Sequence, residues 1–147
     1  MTSGDGNAYM DDILLNKAAI IERCLERIRE EHQGHEDELG TNLTRQDAIV
    51  LNLLRACETT IDGAMHVVRI RRLGVPQRSR DGFALMHDAG LLEEPLNRRM
   101  QSMVGFRNIA IHRYQEIEIP ILQAILEHRL DDLRAFAALL VKLAHGE

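Results

Sequence analysis

Residues 44–73, TRQDAIVLNLLRACETTIDGAMHVVRIRRL, carry the helical pattern that decides the fold of this chain. Apolar side chains cover most of the surface of the helix that they predict, and a helix of that kind is typical of the centre of a helical bundle. The helix is predicted to begin at Thr44, with Asp47 completing a weak capping box, and to run to about Leu73. Gly74 and Pro76 then end it.

The polar side chains of this predicted helix form one stripe, because they recur at a spacing of three and four residues. The stripe consists of Asn52, Arg55, Thr59, Asp62, His66 and Arg69. Such a stripe is either a face in contact with solvent or part of the lining of a cleft. The pattern alone leaves both interpretations open.

Further helices are predicted on both sides of the central one. The first begins at Asp11 and shows one apolar stripe, and a polar loop follows it at residues 30–40. After the central helix come a short helix at 81–89, a helix with Pro95 in its first turn, a break at 115–118 and a last helix from 120 to 144. The chain is therefore predicted to be all-α, an antiparallel four-helix bundle plus one short helix.

Composition and length limit the classes of protein that remain. Residues 1–10 are predicted to be a flexible N-terminal extension, with Met10 as a possible natural start, and residues 11–145 a single helical domain. The net charge of -5 argues against coating nucleic acid through bulk charge. Because no apolar run approaches the roughly 20 residues that span a bilayer, and no signal peptide is visible, we expect a cytoplasmic protein without a membrane partner.

The stretch GFRNIAIHRY, residues 105–114, concentrates polar side chains in a predicted helix. Arg107 and Tyr114 are seven residues apart and share an edge of the apolar sector, whereas Arg107 and His112 are separated by about 140° around an ideal helix. One straight helix cannot direct both at one point, so the helix bends or a second surface completes the site. Gly105 would let a second backbone approach, and the seam of a twofold dimer would provide one.

Arginine and histidine together suit chemistry on a phosphodiester. Histidine gives and takes protons near neutral pH, and the guanidinium of arginine matches phosphate oxygens. RNA supplies its own nucleophile, the 2′-OH, so His112 could accept that proton while Arg107 stabilises the charged transition state. Glu58 and Asp62 are candidates for orienting the histidine. A histidine on a helix can equally be structural or solvated.

No metal site or cofactor is predicted. His32, His35, Glu36 and Asp37 lie together in the polar loop, but they make no closed ligand set. No glycine-rich phosphate loop or nucleophilic triad is visible in the sequence.

The segment RNIAIHRY, residues 107–114, resembles the R-x4-H-x-Y motif of the HEPN superfamily, and specifically the HepT toxins of the HepT/MntA family. These toxins are encoded beside a minimal nucleotidyltransferase antitoxin. Three further segments resemble the same family: MDDILLNKAAIIERCLERI, TRQDAIVLNLLRACETTIDGAMHVV and RRLGVPQRSRDGFALMHDAGLL. The resemblance extends from Met10 to about Leu143.

The resemblance implies a homodimeric toxin of a type VII-like toxin–antitoxin pair. It implies a metal-independent ribonuclease that acts on tRNA or mRNA through a composite site at the dimer interface. Arg107 and His112 match the catalytic pair of the family, and Asn108 matches the polar residue that often follows the arginine. Tyr114 matches the tyrosine that the cognate MntA-like antitoxin modifies with AMP, giving O-AMP-tyrosine, which silences the toxin. Between His112 and Tyr114 the resemblance leads us to expect an acidic residue, and this chain has Arg113 instead.

The basic connector between the second helix and the short helix has three open interpretations. Its arginines could bind RNA phosphates, meet an acidic antitoxin surface, or be solvated. They are Arg69, Arg71, Arg72, Arg78 and Arg80.

Two other classes of protein also remain open at this point. One is a non-catalytic helical subunit that holds substrate for a separate nucleotidyltransferase, and the other is a structural bundle in which the motif is incidental.

Overall fold

The computed structural model describes residues 10–147, and these residues form six α-helices and two short 3₁₀ helices without a strand among them. The all-α prediction is therefore confirmed over this range. Residues 1–9, most of the predicted N-terminal extension, lie outside the described residues. The α-helices are α1 (Asp12–His32), α2 (Leu43–Arg71), α3 (Asp81–Asp88), α4 (Glu94–His112), α5 (Ile119–His128) and α6 (Leu130–Ala144). The 3₁₀ helices are Glu36–Glu38 and Tyr114–Glu116.

Helix α2 lies at the centre of the packing and contacts α1, α3, α4 and α6. Leu53, Ala64 and Val67 on α2 are fully buried. At Gly63, an added Cβ would lie 2.7 Å from Leu140 Cδ1, so α2 and α6 approach closely at this point. Burial of apolar surface on several sides of one helix stabilises the fold by about 25 cal/mol for each Å² removed from water.

The polar stripe of α2 is divided between solvent and core. Asn52, Thr59 and His66 are buried, whereas Arg55, Asp62 and Arg69 are exposed. The interpretation as a solvated face is therefore wrong for half of the stripe. The buried amide and hydroxyl donate to carbonyl oxygens of their own helix, Asn52 Nδ2 to Ala48 O at 2.9 Å and Thr59 Oγ1 to Arg55 O at 2.8 Å. These bonds satisfy groups that burial would otherwise leave without a partner.

The ends of α2 differ from the prediction because the capping residues were misassigned. Asn42, not Thr44, is the N-cap, and its Oδ1 accepts from the backbone N–H of Arg45 at 3.1 Å. Asp47 therefore plays no part in the cap. At the other end Arg72 adopts a left-handed conformation (φ 54°, ψ 51°), which ends the helix two residues before Leu73.

The predicted last helix is two helices, which is a correction to the expected count. Helix α5 ends at His128 and α6 begins at Leu130, with Arg129 between them at φ -117°, ψ -10°. The N–H of Asp132 bonds to Arg129 O at 3.1 Å, a tighter step than the α-helical pattern. The two helices pack against different parts of the chain. Leu122 on α5 lines a cleft together with Val50 of α2, whereas α6 packs along α1 and α2. The loop predicted at 30–40 likewise holds the end of α1 and a 3₁₀ helix.

None of the helices in the described part of the chain combines the length and the apolar character that crossing a bilayer requires.

Asp11 fastens the beginning of the domain to its end. Its N–H donates to Ala144 O at 3.0 Å, its Oδ1 caps α1 by accepting from the N–H of Leu14 at 3.1 Å, and its Oδ2 lies 2.9 Å from His66 Nε2. Arg69 Nη2 is 2.9 Å from His66 Nδ1, and because a guanidinium only donates, Nδ1 must accept. The proton of a neutral His66 is therefore on Nε2, where it is donated to Asp11.

The pKa of Asp11 is lowered in the folded chain. Burial is the largest single influence and acts to raise this pKa, but the hydrogen bonds from His66 and from the backbone N–H groups of Leu14 and Ile13 together outweigh burial. A carboxyl group whose pKa is lowered on folding contributes stability above its unfolded pKa, about 3.9, and loses that contribution as the pH falls through the folded value.

We expect Asp11→Ala to lower the free energy of unfolding by about 2–4 kcal/mol at pH 7. The change removes a helix cap, worth about 1 kcal/mol, and leaves buried His66 without its acceptor, which costs about 1–3 kcal/mol. The neighbour Asp12 is the control: it is exposed in the first turn of α1, and Asp12→Ala should cost only about 0.3–1 kcal/mol. Urea unfolding measures both, and the difference between wild type and Asp11→Ala should shrink below about pH 4. Equal losses in the two variants would contradict this role for Asp11.

Candidate functional site

The motif predicted to carry the chemistry lies at the C-terminal end of α4. His112 is the last residue of the helix, and Arg113 (φ -144°, ψ 51°) breaks the helical path. Tyr114 therefore begins a 3₁₀ helix, and the prediction that it shares a helical edge with Arg107 is wrong. The phenol of Tyr114 contacts Asp47, near the beginning of α2.

Arg107 is held between α2 and the connector. Its Nη1 donates to Glu58 Oε1 at 2.7 Å and its Nη2 donates to Ser79 Oγ at 2.9 Å. The side chain is only 17% exposed, and its buried Nε has no hydrogen-bond partner among the described residues. Charge-assisted bonds of this kind are among the stronger hydrogen bonds in proteins. The guanidinium is therefore fixed in position by two residues that are distant in the sequence.

The carboxylates expected to orient the histidine bind other groups. Glu58 pairs with Arg107 instead, and exposed Asp62 lies 3.9 Å from Lys17 Nζ on α1. Ser79 was not identified from the sequence at all. No local pattern marks it, because its contact with Arg107 depends on how the connector folds back over α4.

His112 and Asn108 lie on the exposed surface of α4. Neither makes a side-chain hydrogen bond with another described residue, and Arg107 does not bond to His112 within the protomer. Exposed Ile109 and Ile111 lie beside them in the helix. The single chain thus holds the arginine inward and the histidine outward.

The space beside Gly105 is used by the chain itself. A Cβ added there would lie 3.3 Å from Arg80 Nη2. Within the protomer, the space that Gly105 was predicted to leave for a second backbone is taken by a side chain. The missing side chain instead makes room for the guanidinium of Arg80, which brings one connector arginine next to the motif.

Tyr114 and Asp47 form the second polar contact of the region. The Tyr114 hydroxyl donates a hydrogen bond to Asp47 Oδ1. The pair lies in a cleft of about 370 Å³, with Val50, Ile117 and Leu122 among its walls. Burial, followed by the hydrogen bond to Asp47 and the charge of its carboxylate, raises the pKa of Tyr114 to about 12. The phenol of Tyr114 is thus harder to ionise than that of an ordinary tyrosine.

The five connector arginines do not form one patch. Arg69 and Arg72 border a mainly apolar cleft of about 570 Å³ at the end of α2, and Arg69 also bonds to His66. Arg78 is 81% exposed and lies 3.9 Å from Asp81, whereas Arg80 lies beside Gly105. Arg71 is half-buried. Only Arg80 of the set is next to the α4 motif by these contacts.

One histidine of the loop after α1 pairs with an acid of the same loop. His35 Nδ1 lies 3.2 Å from Glu38 Oε2. Over residues 10–147, no three His, Cys, Asp or Glu side chains come close enough together to hold a metal ion.

Comparison with known proteins identifies the family. The family described as Ribonuclease HepT-like matches residues 21–140, which is most of the chain. This chain belongs to the Ribonuclease HepT-like family. The resemblance found in the sequence is thus confirmed, and the matched range contains Asp47, Glu58, Arg107, His112 and Tyr114.

Individual members of the HepT-like family match nearly their whole length. An mRNA nuclease HepT from Shewanella oneidensis strain MR-1 is 42% identical over 127 residues, covering 86% of this chain and 95% of the relative. A solved structure of the tri-AMPylated Shewanella oneidensis HEPN toxin in complex with MNT antitoxin matches at 41% identity and a TM-score of 0.83, covering 89% of this chain and 98% of that one. A toxin–antitoxin structure with AMP-PNP matches at 40% identity and a TM-score of 0.84, covering 88% and 98%.

The pairing of Arg107 with Glu58 can be measured by a double-mutant cycle on stability. We expect a coupling energy of about 1–2 kcal/mol between Arg107→Ala and Glu58→Ala, because the bond joins two charged groups and one is mostly buried. The half-exposed pair Arg134–Glu22, at 3.9 Å, is the control and should couple by less than about 0.5 kcal/mol. A coupling between Arg107 and Glu58 no larger than that of the control would show that they are not paired in solution.

The raised pKa of Tyr114 can be tested by following phenolate absorbance with pH. In a Tyr9→Phe background Tyr114 is the only tyrosine, and it should titrate near pH 12 rather than about 10. Asp47→Asn should lower this pKa, because it removes the negative charge beside the phenol. Glu116→Gln, an exposed change in the same 3₁₀ helix, should leave it unchanged. Circular dichroism at each pH would confirm that the fold persists, and a wild-type pKa near 10 would contradict the observed contact.

Proposed function

We propose that this protein is the ribonuclease toxin of a type VII-like toxin–antitoxin pair, which cleaves tRNA or mRNA without a metal ion. The relatives named above are an mRNA nuclease and a toxin in complex with an MNT antitoxin. The observation that carries the proposal is the state of Arg107, a largely buried guanidinium held rigidly by Glu58 and Ser79 five residues before an exposed histidine. The domain that does this comprises residues 11–145, and it acts in the cytoplasm.

The proposed chemistry divides one step between two side chains. His112 takes the proton of the RNA 2′-OH or gives one to the leaving oxygen, a role worth about 10²–10⁴-fold in rate. Arg107 stabilises charge on the transferring phosphate. Its bonds to Glu58 and Ser79 use only part of its donor set, since a guanidinium has N–H groups left over. Asn108, exposed one turn before His112, supplies a further polar contact.

The composite site requires a second copy of the chain. Arg107 faces inward and His112 outward, so one protomer does not direct both at one phosphate. Ile109 and Ile111 are exposed apolar side chains on the same end of α4. A twofold contact through this surface would bury them and bring the two copies of the motif together. We therefore propose that the protein is a four-helix bundle, with its last helix broken at Arg129, and that two copies form a homodimer with the active site at their interface.

The positions of the connector arginines support a role for part of the connector in binding RNA. Arg80 lies beside Gly105 and is well placed to bind phosphates of an RNA at the motif. Exposed Arg78 can extend that track, and such contacts weaken with salt. Arg69, Arg71 and Arg72 lie near the far end of α2 and are better placed to meet the antitoxin.

Silencing is proposed to occur by AMP transfer to Tyr114, catalysed by a minimal nucleotidyltransferase antitoxin of the MntA kind. Tyr114 is two residues past His112 and is 38% exposed. An AMP group there would add phosphate charge and bulk beside the histidine, where it competes with an RNA phosphate.

A second function is favoured by one observation. The apolar cleft beside Arg69 and Arg72 shares no lining residue with the α4 motif, which suits a non-catalytic subunit that binds substrate for a nucleotidyltransferase. Such a subunit would not need His112.

The experiment that separates these functions is RNA cleavage in EDTA. Protein whose intact mass shows unmodified Tyr114 is incubated with total RNA beside His112→Ala. We expect at least about 100-fold slower cleavage by the variant. His128→Ala, which changes an exposed histidine at the end of α5, is the matched control and should cleave like wild type.

Each other result of the cleavage assay has a defined meaning. Equal cleavage by wild type and His112→Ala would mean that another group does the chemistry. An absence of cleavage by any form, with the fold intact by circular dichroism, would favour the substrate-binding subunit.

A further inference from the structure

The Asp47 carboxylate contacts the hydroxyl of Tyr114 and has no other structural role among the described residues. It accepts a hydrogen bond from the hydroxyl of Tyr114, a residue 67 positions later in the chain. Asn42 supplies the cap of α2, so Asp47 is not needed for that purpose. Among the described residues, no Lys, Arg or His nitrogen lies within ion-pair distance of Asp47, in contrast to Glu58. In the part of the chain that the structure describes, the Tyr114 hydroxyl is therefore the side-chain hydrogen-bond partner of this carboxylate.

Modification of a tyrosine hydroxyl requires that proton to leave. With its pKa raised to about 12, Tyr114 is almost entirely protonated at neutral pH. A neutral phenol is a poor nucleophile towards phosphorus, and a base must take the proton as the new bond forms. In protein kinases an aspartate accepts the proton of the substrate hydroxyl in this way. A base must lie within hydrogen-bond reach of the proton it takes, and Asp47 already does so.

We infer that Asp47 is the general base for adenylylation of Tyr114, so that the chain supplies part of the catalytic machinery that modifies it. The inference rests on the proposed function. In the step, Tyr114 Oη forms a bond to the α-phosphorus of ATP while the bond from that phosphorus to the β-phosphate bridging oxygen breaks. Pyrophosphate leaves with the electron pair, and the phenolic proton moves to Asp47.

No other group in the cleft can take this role. The walls come from α2, from the 3₁₀ helix Tyr114–Glu116 with Ile117 after it, and from α5, and besides Asp47 and Tyr114 they present apolar and amide side chains. Gln46, Gln115 and Leu122 are examples, and none of them titrates near neutral pH. Asp47 is the one carboxylate among the residues that line this cleft.

The product of the reaction no longer suits the same contact. The ester oxygen of an adenylylated Tyr114 has no proton to donate, and its phosphodiester carries a negative charge. Once Asp47 has released its proton to solvent, like charges face one another across the former hydrogen bond. The modified side chain is therefore displaced from α2, which moves the AMP group towards the exposed end of α4 where His112 lies.

The test measures AMP incorporation at Tyr114 over time, by intact mass and peptide mapping, with the cognate minimal nucleotidyltransferase and ATP. Asp47→Asn keeps a hydrogen-bond acceptor but removes the base, and we expect it to slow the reaction by about 100-fold or more. Asp47→Glu restores a carboxylate and should recover part of the rate. Glu116→Gln removes an exposed acid from the 3₁₀ helix that holds Tyr114, and it should react like wild type. Tyr114→Phe reports any AMP placed elsewhere.

The dependence on pH separates a base from a residue that only positions the phenol. Between pH 7 and 9 the Asp47→Asn rate should rise about tenfold per unit, because reaction then needs phenolate, while the wild-type rate stays level. Circular dichroism and urea unfolding of Asp47→Asn should resemble those of wild type, which shows that a slower reaction does not come from loss of the fold.

Adenylylation of Asp47→Asn at the wild-type rate would overturn the inference and leave the proposed silencing intact. Equal slowing of Asp47→Asn and Glu116→Gln would overturn it too, since the turn and not the base would then matter. Wild type that acquires no AMP at Tyr114 would contradict the proposed silencing itself, and the inference with it.

Discussion

The structure depends on the burial of α2 on several sides at once. Because α1, α3, α4 and α6 all pack against this one helix, a polar group on one of its packed faces meets a neighbouring segment, whereas Arg55, Asp62 and Arg69 remain exposed. Three side chains of α2 form hydrogen bonds with such neighbouring segments. Asp47 binds Tyr114, Glu58 binds Arg107, and His66 binds Asp11. The apolar surface supplies the stability of the fold, and these polar contacts determine which segment lies where along the helix.

Two of these contacts set the course of α4 relative to α2. Asp47 and Glu58 are 11 residues apart, so on an ideal helix they lie on one face, about 16 Å apart along the axis. Arg107 contacts the later carboxylate and Tyr114 the earlier one, so α4 runs antiparallel to α2 in this region. The end of α4 is thus fixed at two points, with His112 between them on the exposed side. That arrangement leaves the histidine open to a ligand while the residues around it are held.

Much of this fold is visible in the sequence, and the parts that are not share a physical cause. Apolar periodicity located α1 and α2, and Pro95 and Pro120 marked the first turns of α4 and α5, because these signals are local. Periodicity does not report the partner of a polar side chain. The contact between Asp11 and His66 spans 55 residues and that between Arg107 and Glu58 spans 49. The polar stripe of α2 was therefore ambiguous until the packing was known.

The break at Arg129 was not predicted, and the break predicted at 115–118 begins slightly earlier, at Arg113. Neither residue is a glycine or a proline, and the apolar spacing continues across Arg129 from Leu126 to Leu133. The chain leaves the helical path there because the segments on each side pack on different neighbours. In the candidate site, the sequence was enough to identify the motif, because Arg107, His112 and Tyr114 have a fixed spacing. The sequence did not predict the contact of Ser79 with Arg107 or that of Asp47 with Tyr114, because each depends on a segment folding back over α2 or α4.

The two carboxylates on one face of α2 illustrate how the same group takes different roles from its surroundings. Glu58 faces a guanidinium that cannot release its proton, so the pair stays charged and acts as a fixed support. Removing Glu58 would leave a mostly buried positive charge without its partner, which is costly. Asp47 faces a phenol, which is neutral and can release its proton. Removing Asp47 leaves no unpaired charge behind, so we expect the fold to tolerate the loss far better than the proposed adenylylation of Tyr114 does.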